Sequence, residues 1–147
     1  MFSKSCEYSI RSAIYIASLQ RIGRRAGVKE IAEEIGSPAA FTAKILQRLV
    51  KLKILKSVKG PRGGFCLEKS ADRIYILDIV VAIDGEHVLQ DCILGFKKCS
   101  SKKPCPLHDK FIGVREHLNK LLRKTTLAQA EKSYSTGDTV LKLINEI

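Results

Sequence analysis

The chain has 147 residues, 45% hydrophobic and 28% charged, with a formal net charge of +11, a balance that suits one soluble domain with an appended arm and leaves little room for a second core. Five cysteines are too few for a small disulfide scaffold, Met1 to Glu7 has no apolar signal-peptide core, and the longest apolar run, Tyr75 to Ile83, is interrupted by Asp78 and falls far below the roughly 18 residues of a membrane span. These features predict a cytoplasmic protein with no membrane partner, in a reducing compartment where clustered cysteines point to metal or redox chemistry rather than structural bridges.

Cys6, Ile10, Ala13, Ile14 and Ala17 recur at helical spacing and predict a first helix from Ser5 to about Gln20, ended by the break from Gly23 to Gly27. Val28, Ile31, Ala32 and Ile35 form a second, short amphipathic stripe that Gly36 is placed to terminate. Ser37 then offers a cap and Pro38 a first helical position for a third helix, with Phe41, Ile45, Leu49 and Leu52 on one face. Two helices joined through Gly36 and Ser37 have the form of a helix-turn-helix. Ile54 to Val58 and Phe65 to Leu67 read as strands around the turn Lys59-Gly60-Pro61-Arg62-Gly63-Gly64, a hairpin with a basic tip.

Ile76 to Ile83 reads as a fourth helix, and Glu86 to Pro104 as a long loop whose cysteines favour a functional role. From Cys105 onward, with Pro106 near the start, Leu107, Phe111, Val114, Leu118 and Leu121 alternate spacings of four and three, a heptad seam that suits packing against a second copy of the chain. Beyond Thr126 the pattern weakens, with a short last helix expected over Val140 to Ile147. The expected organisation is a mainly α fold with a small β wing: a winged helix-turn-helix over 1–84, a cysteine-bearing loop over 85–104, a dimerisation helix over 105–125, and a tail or short helix over 126–147.

The charge is unevenly spread. Residues 1–73 hold 15 Lys and Arg against 6 Asp and Glu, and no acidic residue lies between Glu34 and Glu68. A field of one sign suits a polyanion, since cations placed on phosphates release counterions. If the third helix enters a major groove of double-stranded DNA, its polar face offers Thr42 and Lys44 for base readout, Gln47 and Arg48 for bases or phosphates, and Lys51 for backbone. In the wing, Lys59 adds charge and Arg62 can enter the minor groove or hold a phosphate. No phosphate-cradling glycine loop, paired carboxylates or nucleophilic Cys-His arrangement stands apart from the cysteine segment, so catalysis is not expected.

Cys92, Cys99, Cys105 and His108 form the pattern C-x6-C-x5-C-x2-H, looser than paired zinc-ribbon cysteines. Three thiolates beside Lys97, Lys98, Lys102 and Lys103 can bind a soft metal or cluster. An iron-sulfur cluster normally takes four protein ligands. His108 is nearest in sequence, and Glu7 on the first helix is a remote candidate that folding or dimer exchange would have to bring in. Cys6 and Cys66 are expected to be packed or partly exposed residues rather than ligands, and His87 and His117 structural or solvated.

Taken together, Cys6-Glu7-Tyr8-Ser9-Ile10-Arg11-Ser12, Ile31-Ala32-Glu33, the wing Ser57-Val58-Lys59-Gly60-Pro61-Arg62-Gly63-Gly64-Phe65, Ala82-Ile83-Asp84-Gly85 and the three-cysteine loop resemble the IscR/NsrR/CymR-type winged-helix regulators of bacteria, over about Ser3 to Lys124. The resemblance implies a homodimeric transcription factor, a partner's first helix near the cysteine loop, and repression or activation governed by an iron-sulfur cluster that senses redox state, nitric oxide or cluster supply. IscR-like members imply His108 as the fourth ligand to a 2Fe-2S cluster, the favoured form. NsrR-like members imply an acidic residue on the partner's first helix, matched by Glu7, and a 4Fe-4S cluster. The x6 gap from Cys92 to Cys99 departs from the family's more frequent x5, and Arg11 stands where a redox-sensing variant has histidine. CymR-like members imply the alternative, a cluster-free regulator using a zinc site or apo thiols and a partner protein.

Overall fold

Ser3 begins the first helix by accepting the Cys6 N–H on its hydroxyl at 3.0 Å, and α1 then runs over Lys4–Arg21. The structure is a computed structural model that describes residues 1–142. After α1 come α2 (Val28–Ile35), α3 (Ala39–Lys51), β1 (Leu55–Val58), β2 (Gly64–Leu67), α4 (Ile76–Asp84), α5 (His108–Lys124) and α6 (Leu127–Ser135). Short 3-10 turns occupy Ala71–Arg73 and Glu86–Leu89. The mainly helical fold with a two-stranded wing is the one expected.

Buried residues Cys6, Ser9, Ser12, Ala13, Tyr15, Ile16, Ala17 and Leu19 cover much of α1, so this helix is enclosed by others rather than lying on a surface. Its small side chains let neighbours approach closely, and Ser9 satisfies its own hydroxyl on the Ser5 carbonyl at 2.6 Å. The N-terminus of α1 is tied to the end of α4, where the Ser3 amide donates to Asp84 Oδ2 at 2.8 Å.

The turn between α2 and α3 depends on Gly36, whose φ of 69° is left-handed and whose N–H returns to the last carbonyls of α2. The third helix starts one residue later than its sequence suggested. Pro38 is the cap, its carbonyl accepting the Thr42 amide at 2.9 Å, while the Ser37 hydroxyl is buried without a hydrogen-bond partner. The wing pairs in the register Leu55↔Leu67, Lys56↔Cys66, Ser57↔Phe65 and Val58↔Gly64. A further bridge joins Ala26 to Phe65, with the Phe65 N–H donating to Ala26 O at 2.9 Å. Gly64, at φ 133°, permits that approach, since a Cβ there would lie 2.5 Å from the Ala26 carbonyl oxygen.

The largest departure from the sequence reading is α6. The region read as a tail or short helix, with any helix placed over Val140 to Ile147, carries a helix of nine residues, Leu127–Ser135, started by a reciprocal cap between Thr126 and Gln129 at 2.9 and 3.2 Å. Leu127 is fully buried in the common core, Glu131 pairs with Arg21 of α1 at 3.2 Å, and the Tyr134 hydroxyl donates to Glu34 of α2 at 2.6 Å. Residues 126–135 therefore share one core with α1 and α2. The last helix expected over Val140 to Ile147 is not helical at 140–142, and 143–147 lie outside the described residues.

Replacing Leu127 by alanine is expected to lower the unfolding free energy in urea by about 2–5 kcal/mol, whereas Val140→Ala, at a side chain 61% exposed, should change it by less than about 0.5 kcal/mol. Equal, small effects would show that α6 does not belong to the core.

Candidate nucleic-acid interface and cysteine centre

The buried stripe of α3 is Thr42, Ile45, Leu46 and Leu49, which turns Ala40, Lys44, Gln47, Arg48 and Lys51 outward, with Ala43 half-buried among them. Thr42, expected among the outward residues, lies instead on the buried stripe. Its side chain is fully buried and its hydroxyl donates back to the Pro38 carbonyl at 2.9 Å, a local bond that satisfies a polar group inside the helix packing. Arg48 is exposed, but its Nη2 donates to the Ile83 carbonyl at 2.8 Å in a part-buried bond, so the guanidinium ties α3 to the end of α4. Lys59 and Arg62 stand exposed in the wing. Sequence reasoning missed Arg25, whose Nη1 donates to the Arg62 carbonyl at 3.3 Å and places another cation beside the wing tip. Among the described residues, ion pairs join Lys4 to Glu7, Arg21 to Glu131, Arg24 to Glu30 and His87 to Asp91, so none neutralises Lys44, Lys51, Lys59 or Arg62.

The cysteine segment leaves α4 at Gly85 and returns at α5. Cys92 is buried, Cys99 and Cys105 are half-buried, and His108, the first residue of α5, is buried. The structure brings the four candidates together in two pairs. His108 Nδ1 lies 3.1 Å from Cys99 Sγ, and the Cys105 side chain is among the groups that act on the Cys92 thiol. The Cys92 thiol is held below its ordinary range, chiefly by the Leu94 backbone N–H and further by the Phe96 N–H, Cys105 and the Arg115 cation, against an opposing push from burial. Arg115 also donates through Nη2 to Cys99 Sγ at 3.1 Å. Three soft thiols, an imidazole, backbone donors and one guanidinium form a donor set whose chemistry fits an iron-sulfur cluster or zinc. Among the described residues, no three His, Cys, Asp or Glu side chains already close on one point as an ion-binding group.

Glu7 is not brought to this segment by the single chain; its carboxylate pairs with Lys4 at 2.9 Å within α1. Cys6 and Cys66 are buried, as their positions suggested. His117 is exposed, and His87 lies 4.0 Å from Asp91. Arg115 was not anticipated, although its spacing of seven from His108 puts both on one face of a helix.

A helix-turn-helix, a basic hairpin joined to it, and a cysteine-bearing segment leading into a long helix define a winged-helix regulator. The chain belongs to the Rrf2 family, whose model, described as an iron-dependent transcriptional regulator, matches residues 2–132. It is a transcriptional regulator and not an enzyme. It is 35% identical over 129 residues to a protein of Aquifex aeolicus (strain VF5) whose name places it among HTH-type transcriptional regulators, covering 86% of this chain and 88% of that one. In fold it is similar to CymR, the global cysteine regulator of B. subtilis, with a TM-score of 0.75 at 19% identity over 90% of this chain and 96% of that one. It is also similar to T. potens IscR, with a TM-score of 0.70 at 21% identity over 95% and 92% of the two chains. Among the described residues no helix is long and apolar enough to cross a membrane.

Burial, with the Asp84 and Glu7 charges, pushes the Cys6 thiol up to about 12, so at pH 7.5 almost no Cys6 thiolate exists to react. Brief alkylation of the native reduced protein, mapped by mass spectrometry, should modify Cys99 and Cys105 and leave Cys6 untouched. Equal labelling of Cys6 would contradict this account of its burial.

Proposed function

We propose that the protein is a cytoplasmic repressor that binds double-stranded DNA as a homodimer and carries an iron-sulfur cluster on Cys92, Cys99, Cys105 and His108, the 2Fe-2S form being favoured. The observation that carries the reading is the approach of His108 Nδ1 to Cys99 Sγ at 3.1 Å, with the Cys105 side chain acting on the Cys92 thiol. A bound cluster supplies redox chemistry and a centre that nitric oxide or oxidants can attack. The chain's own contribution is to hold the sulfurs near one another, keep Cys92 inclined to ionise, and present them next to α5.

The dimer reading rests on the exposed seam of α5. Val114 and Leu121 are 56% and 50% exposed and are continuous with half-buried Phe111 and Leu118, a stripe that a second copy can cover. At the DNA, Lys44 and Gln47 face base edges, and the small Ala40 and Ala43 let the helix approach and contact thymine methyl groups. Lys51, Lys59 and Arg62 hold phosphates, with Arg62 also placed for the minor groove. Arg48 contributes by fixing α3 in place. In this scheme 1–84 reads DNA, the loop 85–104 holds the cluster together with Cys105 and His108, and 105–125 joins the protomers.

Anaerobically purified or reconstituted protein should show visible absorption bands with matching iron and sulfide, and each of Cys92→Ala, Cys99→Ala and Cys105→Ala should abolish them. His108→Ala should alter the spectrum while Glu7→Gln preserves it. The reverse pattern would move the fourth ligand to Glu7 of a second protomer and favour 4Fe-4S, and zinc alone would establish the cluster-free alternative in its place. For the DNA surface, Lys51→Ala combined with Arg62→Ala should weaken binding and lower the slope of log affinity against log salt by about 1.8, two phosphate contacts at about 0.9 each. An unchanged slope would reject this surface.

A further inference from the structure

We infer that Arg115 is a positioning residue that braces the cysteine segment against α5 and aims the Cys99 sulfur. The consequence for a cluster rests on the reading under Proposed function, while the brace itself does not. Nη1 of Arg115 donates to the Gln90 carbonyl at 2.7 Å and, at longer range, to the Asp91 carbonyl at 3.5 Å, and Nη2 donates to Cys99 Sγ at 3.1 Å. One planar guanidinium thus grips the segment before Cys92 and again at Cys99. Between these two grips lie buried Cys92 and the exposed Ile93, Leu94 and Phe96, apolar side chains that are 52%, 46% and 58% exposed.

The placement follows from helix geometry. Side chains lean toward the N-terminus of a helix, so Arg115 reaches back toward His108, which stands two turns earlier on the same face. Both side chains meet one sulfur, each at 3.1 Å. Asp109 and Glu116 lie on the same helix, yet Arg115 takes no part in any ion pair among the described residues. Its charge is directed at two carbonyls and a thiol instead. A lysine cannot reproduce this, because a point charge cannot span both ends of the segment as the arginine fork does. Toward a cluster, a cationic donor on a ligand sulfur favours the more negative, reduced state and raises the reduction potential.

The test compares the full-length wild type with Arg115→Ala and Arg115→Lys. In reduced, metal-free protein, hydrogen exchange should quicken about 10-fold or more in both variants at residues 94–96, where the Gly95 N–H is held by the Cys92 carbonyl at 2.9 Å, while α1 exchanges as in the wild type. In loaded protein, Arg115→Ala should shorten the lifetime of the visible bands in air about 10-fold and move the reduction potential to a more negative value. Arg115→Lys should keep part of the potential through its charge while losing the loop protection. Unchanged exchange in Arg115→Ala would overturn the brace, and faster exchange with wild-type lifetime and potential would overturn the role toward the cluster. A wild type that takes up no iron would refute the cluster reading, and with it that role, while the exchange comparison still decides the brace.

Discussion

Enclosure of α1 is the constraint on which the rest of the molecule depends. A helix buried on most of its circumference must carry small or apolar residues nearly all round, and Cys6, Ser9, Ser12, Ala13 and Ala17 meet that need with little volume. Their size decides how near α2, α3, α4, β2 and α6 can come, and so fixes the angle at which the helix-turn-helix meets the wing and the C-terminal helix. A larger side chain at Ala13, fully buried, would push apart several elements at once, since a packed core has no spare volume to absorb it.

Around that hub, the C-terminal end of α4 is where separate parts of the chain converge. Ile83 accepts from Arg48 of α3, and Asp84 accepts from the amide of Ser3 at the start of α1. The next residues run through Glu86–Leu89 into Cys92. The same short stretch thus anchors α3, closes α1 and launches the cysteine segment. Arg48 was read from sequence as a DNA ligand because it is cationic and lies on the polar face of its helix; its geometry gives it a structural bond that nothing in its local sequence signals.

What was legible depended on whether the signal was local. Gly36 marks its own turn, the Gly-rich wing its own hairpin, and Cys92, Cys99, Cys105 and His108 their own cluster of donors. The stripe of α3 was misplaced because a period of hydrophobic residues cannot see a threonine that buries itself by bonding to Pro38; the true stripe includes Thr42 and leaves Leu52 41% exposed. The helix α6 was missed because its short apolar pattern is stabilised from a distance, by α1 and α2 through Glu131 and Tyr134, although the Thr126 and Gln129 capping pair was a readable start. Arg115 was missed for a similar reason, since its partners at Gln90 and Cys99 come from a loop whose path no periodicity describes.

The proposed sensing role joins these parts: a basic reading surface with uncompensated cations, and a cysteine centre that continues directly from the α4 end on which the reading helix leans. The most direct measurement is the affinity of one DNA fragment, chosen by in vitro selection with this protein, for the cluster-loaded and the cluster-stripped forms at equal salt. The account predicts affinities that differ by about 10-fold or more, a coupling free energy of at least about 1.4 kcal/mol, with the difference lost in Cys99→Ala. Equal affinities for the two forms would contradict it.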